Sequence, residues 1–414
     1  MRGTVNPVYL GAIRVYLFPV LSKIMTTKQF VIRFFSVTFL LLALVGLFNR
    51  IVDPFWYYRD TEIKGFNTIK PKFGRYERHI KPVLLMRDQP DAIILGSSYS
   101  EIGFNPFNPF FTDYGRLKGM NFAFAGAPWS MVQCEFEFGV THSNIKRAVI
   151  GFHPGSLPLV DCTKDFASLG QISPGELLFS SLSLGASFET IFEQNKNPTH
   201  TREGMFFSER GRTGVDNRFR LLFSRIVNKN SQCLNAIKSN DLFIHSISAS
   251  THDLSGLERM IKTAKVHGVE LVLFAYPQHA YGLELDNRCG GQIEYWRAMK
   301  QIAGLIESEA KPDQVRAWQF YSYNDITSEP IGTRAKYWQD PWHFNFEVGD
   351  MMLADMFGKN PEGPKLGRPI ATKSIETDFQ DYLLGRSEYL RLHPEFQTDL
   401  NKLEQLCSDP TNKC

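Results

Sequence analysis

The sequence lacks an excess of charge of either sign. Its 414 residues carry 46 basic and 43 acidic side chains, which gives a formal net charge of +3 at pH 7. A protein that works mainly on nucleic acid concentrates positive charge, so this balance argues against nucleic acid as a partner. The mean hydropathy of -0.22 excludes a polytopic membrane protein, and 43% apolar residues exclude wholesale disorder. We therefore expect one large globular domain with appended segments.

Cysteine is scarce and does not follow the spacing of a metal site. The six cysteines are Cys134, Cys162, Cys233, Cys289, Cys407 and Cys414. None has a second cysteine or a histidine at zinc-ligand spacing, and we expect neither a metal nor another cofactor. In an oxidising compartment these cysteines would be free to form disulfides, but the sequence does not assign the pairs.

Acidic residues are missing before Asp53, and this part of the chain contains a long apolar run. Phe34–Phe48 contains nothing more polar than serine, threonine and glycine, and Arg33 and Arg50 flank it. With the apolar residues from Phe30 onward, the run approaches the roughly 20 residues that cross a bilayer. A signal-peptide core has a similar composition, but no small-x-small cleavage pattern follows. We therefore predict an uncleaved transmembrane signal anchor over residues 30–50.

The charges around the anchor predict its orientation. The basic residues before it are Arg2, Arg14, Lys23, Lys28 and Arg33. By the positive-inside rule, residues 1–29 lie in the cytoplasm and residues from about 50 onward lie outside the cytoplasmic membrane. Met25 is a natural start, so residues 1–24 are either a start-site extension or a second apolar stretch on the membrane. Residues 56–58 are either an interfacial aromatic belt or the first packed part of the domain.

Apolar runs and helix-length segments alternate after the anchor. The predicted strands are residues 91–96, 120–126, 147–151, 269–276 and 314–320, and the helical patterns between them are residues 129–138, 254–267 and 292–310. Strands separated by helices predict an α/β fold in which a mostly parallel sheet is covered on both faces, a three-layer sandwich.

Two segments depart from this alternation of strands and helices. We assign residues 51–358 to the α/β domain and interpret the polar stretch at about 157–250 as an inserted cap over the sheet edge. Helices are predicted in this insertion around Phe188 and across residues 218–227. Residues 359–414 are predicted to be a polar C-terminal tail.

Candidate functional residues follow the predicted strands, because active sites of parallel sheets lie at the carboxyl ends of the strands. Gly96-Ser97-Ser98 follows the first strand, where a glycine permits a sharp turn and a serine can present its hydroxyl. The second predicted strand, residues 120–126, contains Asn121 and ends at Gly126, and a backbone N–H on a glycine can approach an oxyanion closely. Alone, each of these patterns is more typical of an ordinary turn.

A third pattern, Asp340-Pro-Trp-His343, precedes the C-terminal helix of the domain. An aspartate three residues before a histidine can turn back and orient the imidazole, which then removes a proton from a serine. Alone, an Asp-x-x-His loop is more often a hydrogen-bonded structural turn.

In this order, the three patterns resemble those of the SGNH/GDSL hydrolase superfamily over roughly residues 90–358. The resemblance implies a flavodoxin-like sheet with Ser98 as the nucleophile, His343 as the base and Asp340 as its orienting carboxylate. It also implies that the backbone N–H groups of Ser98 and Gly126 donate to the oxyanion. Ser97 stands where the family usually has aspartate.

The third family block departs from the usual pattern. The family has Gly-x-Asn-Asp after its third strand, whereas this chain has Gly151-Phe-His153-Pro. Removing one oxyanion donor typically lowers the rate by about 10²–10³. His153 either replaces the missing donor or is a structural residue. The other candidates for the cleft are Asn121, His279 and Trp342.

The combination of membrane anchor and Gly-Ser-Ser resembles exported SGNH-like acyl-transfer proteins of bacterial envelope pathways. It implies a serine esterase or O-acyltransferase that acts on acyl (acetyl) esters of an envelope glycan, exopolysaccharide or lipid through an acyl-serine. The partners implied are this acylated substrate, the cytoplasmic membrane and other envelope biosynthesis proteins. The alternative, favoured by the altered third block, is a non-catalytic SGNH-like protein that binds a glycan or scaffolds a biosynthetic complex.

Overall fold

The structure is a computed structural model that describes residues 26–165, 172–207, 251–288, 291–330, 335–358 and 365–394, with residues 169, 213 and 398. Its first helix is α1 (Thr27–Val52), which contains the apolar run. Thr26 caps α1, because its hydroxyl accepts the Gln29 N–H and the Gln29 side chain accepts the Thr26 N–H. The helix is long and apolar enough to cross a membrane. The proposed start-site extension, residues 1–24, lies outside the described residues.

The expectation of a mostly parallel sheet is confirmed. In chain order the strands are β1 (Ala92–Leu95), β2 (Gly119–Asn121), β3 (Arg147–Phe152), β4 (Glu270–Ala275), β5 (Val315–Gln319) and β6 (Arg368–Pro369). They are arranged as β2-β1-β3-β4-β5-β6. The first five strands pair in parallel, and only β6, which the sequence did not predict, is antiparallel to its neighbour.

The two faces of the sheet contribute to two separate cores. Along β1, Ile93 and Leu95 face one core, and Ala92 and Ile94 face the other, as the two-residue period of a strand requires. The first core is closed by α2 (Phe73–Asp88), α4 (Trp129–His142), α8 (Ser255–His267) and α10 (Gly291–Glu309). The second is closed by α11 (Phe346–Met356). Helices therefore cover both faces, and the layers agree with the expected sandwich.

The described part of the insertion has three short helices: α5 (Cys162–Asp165), α6 (Pro174–Phe179) and α7 (Ser181–Phe192). The predicted helix around Phe188 is thus confirmed, and the one across residues 218–227 lies outside the described residues. The Glu203 carbonyl accepts the Asn121 N–H at 2.8 Å, so this part of the insertion does lie along the edge strand β2. By contrast, α6 and α7 pack against α1.

A disulfide joins Cys134 in α4 to Cys162 in α5. It ties the start of the insertion to the helix that follows β2. The other four cysteines lie outside the described residues.

Two further helices of the described residues are α3 (Ser98–Gly103) and α9 (Ala280–Arg288). The segment after residue 358 contains the helix α12 (Ile375–Leu392). Tyr382 of α12 is buried, stacks on Tyr321 at 5.1 Å and donates a hydrogen bond to Asn287 at 2.8 Å. The expected polar tail therefore docks on the domain through its tyrosines, at least as far as this helix.

Candidate active site

The turn after β1 requires glycine. Gly96 has φ of +137°, and a Cβ at this position would overlap the hydroxyl groups of Tyr276 and Ser100. The chain then enters α3, whose first residue is Ser98. The close packing at Gly96 thus places the Ser98 side chain at the carboxyl edge of the sheet.

The structure brings Ser98, His343 and Asp340 together, although Ser98 and His343 are 245 residues apart. The Ser98 Oγ lies 2.9 Å from His343 Nε2, and His343 Nδ1 lies 2.8 Å from Asp340 Oδ2. The Asp340 side chain has no solvent exposure, and the His343 side chain is 15% exposed. This is the nucleophile–base–carboxylate arrangement that activates a serine.

The Asp340 carboxylate also shapes the loop that carries His343. Its Oδ1 accepts the backbone N–H groups of Trp342 at 2.9 Å and His343 at 2.8 Å. The loop is closed by a hydrogen bond from the Gln339 N–H to the His343 carbonyl at 2.8 Å. With Nδ1–H donating to the carboxylate, Nε2 is left as the acceptor for the Ser98 proton.

Glu329 supports the same loop from its other end. Its carboxylate accepts the backbone N–H groups of Lys336, Tyr337 and Trp338 at 2.8, 2.7 and 3.0 Å. Burial raises the pKa of Glu329 above its usual value. No local motif marks Glu329 in the sequence, because its carboxylate accepts hydrogen bonds from backbone N–H groups seven to nine residues away.

The two predicted oxyanion donors have free backbone N–H groups. Ser98 begins α3, where a helix offers N–H groups without intrahelical acceptors. Gly126 lies in an exposed turn with φ of +66°, closed by a 3.1 Å hydrogen bond from the Ala127 N–H to the Phe124 carbonyl. Within the part of the chain that the structure describes, neither N–H donates a hydrogen bond. Their role as oxyanion donors stays a prediction.

Two tyrosines that the sequence analysis did not single out pack around the triad. The ring of Tyr99 stacks on His343, with centroids 4.9 Å apart, and on Tyr276, with centroids 4.6 Å apart. Burial raises the pKa of both phenols, which keeps them neutral. Tyr99 directly follows Ser98, and Tyr276 directly follows β4. An aromatic residue just after a strand is the sequence feature that could have indicated both tyrosines.

Tyr276 also fixes the nucleophile turn on both sides of Ser98. Its hydroxyl accepts the Ser97 N–H at 3.0 Å and shares a 2.8 Å hydrogen bond with the Ser100 hydroxyl. Its ring occupies the space beside Gly151, where any side chain would collide with it. The glycine of the altered third block is therefore needed to admit this tyrosine.

His153 lies beside the nucleophile turn at the same edge of the sheet. It follows β3, it is exposed, and its ring contacts Tyr99 and Tyr276 with centroids 5.1 and 5.0 Å apart. Trp342, next to His343, is half-buried. Both residues have solvent-accessible surface near the triad in the chain or in space, and their roles as cleft residues stay predictions.

Asn121 has a structural position. Its side chain is fully buried and donates to the backbone carbonyls of Ser100, Glu101 and Phe104, at 3.0, 3.3 and 3.1 Å. These carbonyls belong to α3 and the residue after it. Asn121 therefore secures the nucleophile helix on β2 and does not present its amide to the cleft.

His279 is also fully buried. Its Nε2 lies 2.8 Å from the Glu329 carbonyl, and its Nδ1 accepts the Tyr281 N–H at 3.2 Å. Burial lowers the pKa of His279 to about 4, so the ring is neutral. Its place at the end of β4 suggested a cleft residue, but the chain turns its ring into the interior.

A buried ion cluster lies behind the nucleophile helix. The Lys81 ammonium is 3.2 Å from the carboxylates of both Glu77 and Glu101, and it donates to the Ala123 carbonyl at 2.6 Å. Glu77, Glu101 and His200 also lie close enough to share a cation. Because Lys81 already bridges the two carboxylates, we assign this cluster to the attachment of α2 to α3.

Comparison of the chain with protein-family models and with curated proteins gave no match. A function for this chain therefore has to be inferred from its own residues and their geometry. The most informative part of that geometry is the hydrogen-bonded series from Ser98 through His343 to Asp340.

Proposed function

We propose that this chain is a membrane-tethered serine esterase or O-acyltransferase of the SGNH type. Its substrate would be an acyl ester, such as an acetyl ester, of a cell-envelope glycan or exopolysaccharide. The observation that carries this proposal is the contact of Ser98 Oγ with His343 Nε2 at 2.9 Å, in a ring held by Asp340.

In the proposed mechanism, Ser98 Oγ attacks the acyl carbonyl while its proton moves to His343 Nε2. Asp340 stabilises the imidazolium through Nδ1–H, and the N–H groups of Ser98 and Gly126 donate to the oxyanion. Collapse of the tetrahedral intermediate releases the alcohol, which takes the proton from His343, and leaves an acyl-serine. His343 then deprotonates water or a sugar hydroxyl, and the acyl group passes to that oxygen.

Esterase and transferase activity differ only in this last acceptor. The His153 ring contacts Tyr99, the residue after the proposed nucleophile, and Trp342 directly precedes the proposed base. A half-buried aromatic ring at that position suits stacking on a sugar. His153 stands where the resemblance places an asparagine donor, and a neutral imidazole retains one N–H for this purpose. These positions support a glycan acceptor or donor.

Helix α1 and the disulfide bear on where in the cell the domain lies. We infer that α1 spans the bacterial inner membrane with its N-terminus in the cytoplasm, which places the catalytic domain in the periplasm. The Cys134–Cys162 disulfide supports this inference, because structural disulfides persist mainly in oxidising compartments.

The test is turnover of an activated acetyl ester, such as p-nitrophenyl acetate, by the full chain in detergent. Ser98→Ala should reduce turnover to the background rate. Ser97→Ala is the matched control, because the buried Ser97 hydroxyl has no hydrogen-bond partner in the described structure, and we expect it to retain activity. Adding an oligosaccharide acceptor then separates transfer from hydrolysis.

Equal turnover by the Ser98→Ala variant and the wild type would contradict the enzymatic proposal. Absence of turnover in the wild type, together with glycan binding, would favour the non-catalytic alternative. That alternative retains the same cleft but does not explain why the serine, histidine and aspartate are aligned.

A further inference from the structure

Helix α7 buries its polar side and exposes its apolar side. The residues that it buries are small or polar: Ser183, Ala186, Ser187 and Thr190. Phe188 and Phe192 of the same helix are 49% and 78% exposed, and Phe179 at the end of α6 is 51% exposed. A surface helix of a water-soluble domain has the opposite pattern, with its apolar side inward.

The buried side of α7 packs closely against the anchor helix. The Ser187 hydroxyl donates to the Asn49 side chain at 2.8 Å, and the Asn49 amide donates to the Leu178 carbonyl at 2.6 Å. Gly46 leaves room for the Phe179 ring. Small residues and interhelical polar hydrogen bonds at a helix contact are typical of association within a membrane.

The exposed aromatic residues continue the apolar surface of α1. Phe188 packs on Phe48 with ring centroids 5.1 Å apart, and Leu47 of α1 is 55% exposed. A membrane span that starts at Phe30 needs roughly 20 residues to cross the hydrocarbon core, so it ends close to Asn49. The contacts of α6 and α7 therefore lie at the extracytoplasmic end of the span.

The length of α7 determines how it can meet the bilayer. Its 12 residues make a helix of about 18 Å, too short to cross a hydrocarbon core of about 30 Å. A short helix with an exposed apolar side fits the interfacial region, where that side enters the acyl chains.

We propose that α6 and α7 form a helical hairpin embedded in the periplasmic leaflet beside α1, with phospholipid acyl chains covering Phe179, Phe188 and Phe192. This inference rests on the membrane location proposed for α1 and is independent of catalysis. The hairpin adds a second membrane contact to the anchor, which restricts rotation of the domain about α1.

The restriction has a consequence for the site. Lys70 donates to the carbonyl of Val52, the last residue of α1, at 3.0 Å, and α2 begins three residues after Lys70. Phe73, at the start of α2, contacts His200 with centroids 5.3 Å apart. His200 lies 3.8 Å from Glu101 of the nucleophile helix. These contacts connect the end of α1 to the helix that carries Ser98, so restricting the domain also restricts the position of Ser98 relative to the bilayer.

The test is site-specific photocrosslinking of the full chain in bacterial membranes. A photoreactive phenylalanine analogue, p-benzoylphenylalanine, replaces Phe188 or Phe192, and lipid adducts are identified by mass spectrometry. Phe39 in the middle of α1, 74% exposed, is the positive control. Val266 is the negative control, because it is 82% exposed and lies on α8, whose helix neighbours α4 and α10 belong to the α/β domain.

We expect phospholipid adducts at positions 39, 188 and 192, at least about tenfold above position 266. Adducts at position 39 without adducts at positions 188 and 192 would overturn the hairpin proposal and leave the anchor intact. Crosslinks from 188 and 192 to a second copy or another protein would also overturn it. Lack of adducts at position 39 would overturn the membrane location itself. Ser98-dependent turnover, measured separately, tests catalysis.

Discussion

Replacing Asp340 by asparagine removes one negative charge while preserving the shape of the loop. The asparagine carbonyl can still accept the N–H groups of Trp342 and His343, which lie 2.9 and 2.8 Å from Oδ1. The amide nitrogen would stand in the place of Oδ2, 2.8 Å from His343 Nδ1. Oδ1 lies 3.0 Å from Nδ1 but already accepts two backbone N–H groups. The nearer amide nitrogen only donates, so Nδ1 becomes an acceptor and the ring proton moves to Nε2.

This change of tautomer determines the size of the effect. With a proton on Nε2, His343 cannot accept the proton of Ser98, although the distance of 2.9 Å is unchanged. The equivalent substitution in a serine-protease triad lowers kcat by about 10⁴. At about 1.36 kcal/mol for each factor of ten, this is a loss of roughly 5 kcal/mol of transition-state stabilisation.

The assay is hydrolysis of p-nitrophenyl acetate by Asp340→Asn, compared with the wild type and with Asp350→Asn. The control makes the same chemical change in α11, where the Asp350 carboxylate accepts a 2.8 Å hydrogen bond from Asn108, away from the triad. Melting temperatures of all three proteins separate a chemical loss from unfolding. A folded Asp340→Asn variant with more than a tenth of wild-type turnover would refute the role given to this carboxylate.

Two further substitutions test the packing around the site. Gly96→Ala should lower stability by more than the roughly 1–3 kcal/mol of a strained backbone, because its Cβ would also meet Tyr276. Gly115→Ala, at φ of +86° with open space around it, should show the strain alone, and equal melting temperatures would contradict this. His279 has a folded pKa of about 4, below its usual 6.5. Its contribution to stability is therefore present above pH 6.5 and is lost towards pH 4, by about 3 kcal/mol. The melting temperature of His279→Gln should fall less than that of the wild type between pH 7 and pH 4.5, and an identical fall would contradict the assignment.

The sequence was informative where a function depends on residues close together in the chain. Ser98 follows the glycine of a strand end, and Asp340 precedes His343 by three residues, so both halves of the triad could be recognised locally. That the two halves meet was expected from the resemblance carried by the three patterns together, and their contact spans 245 residues. The five parallel strands were predicted from short, largely apolar runs. The second prediction was too long, because β2 ends at Asn121 and not at Gly126, and β5 includes Arg316 and Gln319.

The sequence was less informative about the direction of single side chains. Asn121 and His279 both follow or end strands, as Ser98 and His153 do, yet their side chains point inward to backbone partners. The stack of Tyr99 on Tyr276 joins residues 177 positions apart and leaves no periodic pattern. The sequence of α7 does not show which of its sides is buried, because the contact of Ser187 with Asn49 of α1 determines this.

The most direct measurement is reaction of the full chain with a fluorophosphonate probe, with the modified residue located by mass spectrometry. A triad with Ser98 Oγ 2.9 Å from His343 Nε2 predicts one adduct on the peptide that contains Ser98. We expect this adduct to disappear in Ser98→Ala and to persist in Ser97→Ala. Absence of an adduct on the folded wild type, or labelling that persists in Ser98→Ala, would contradict the assignment of Ser98 as the nucleophile.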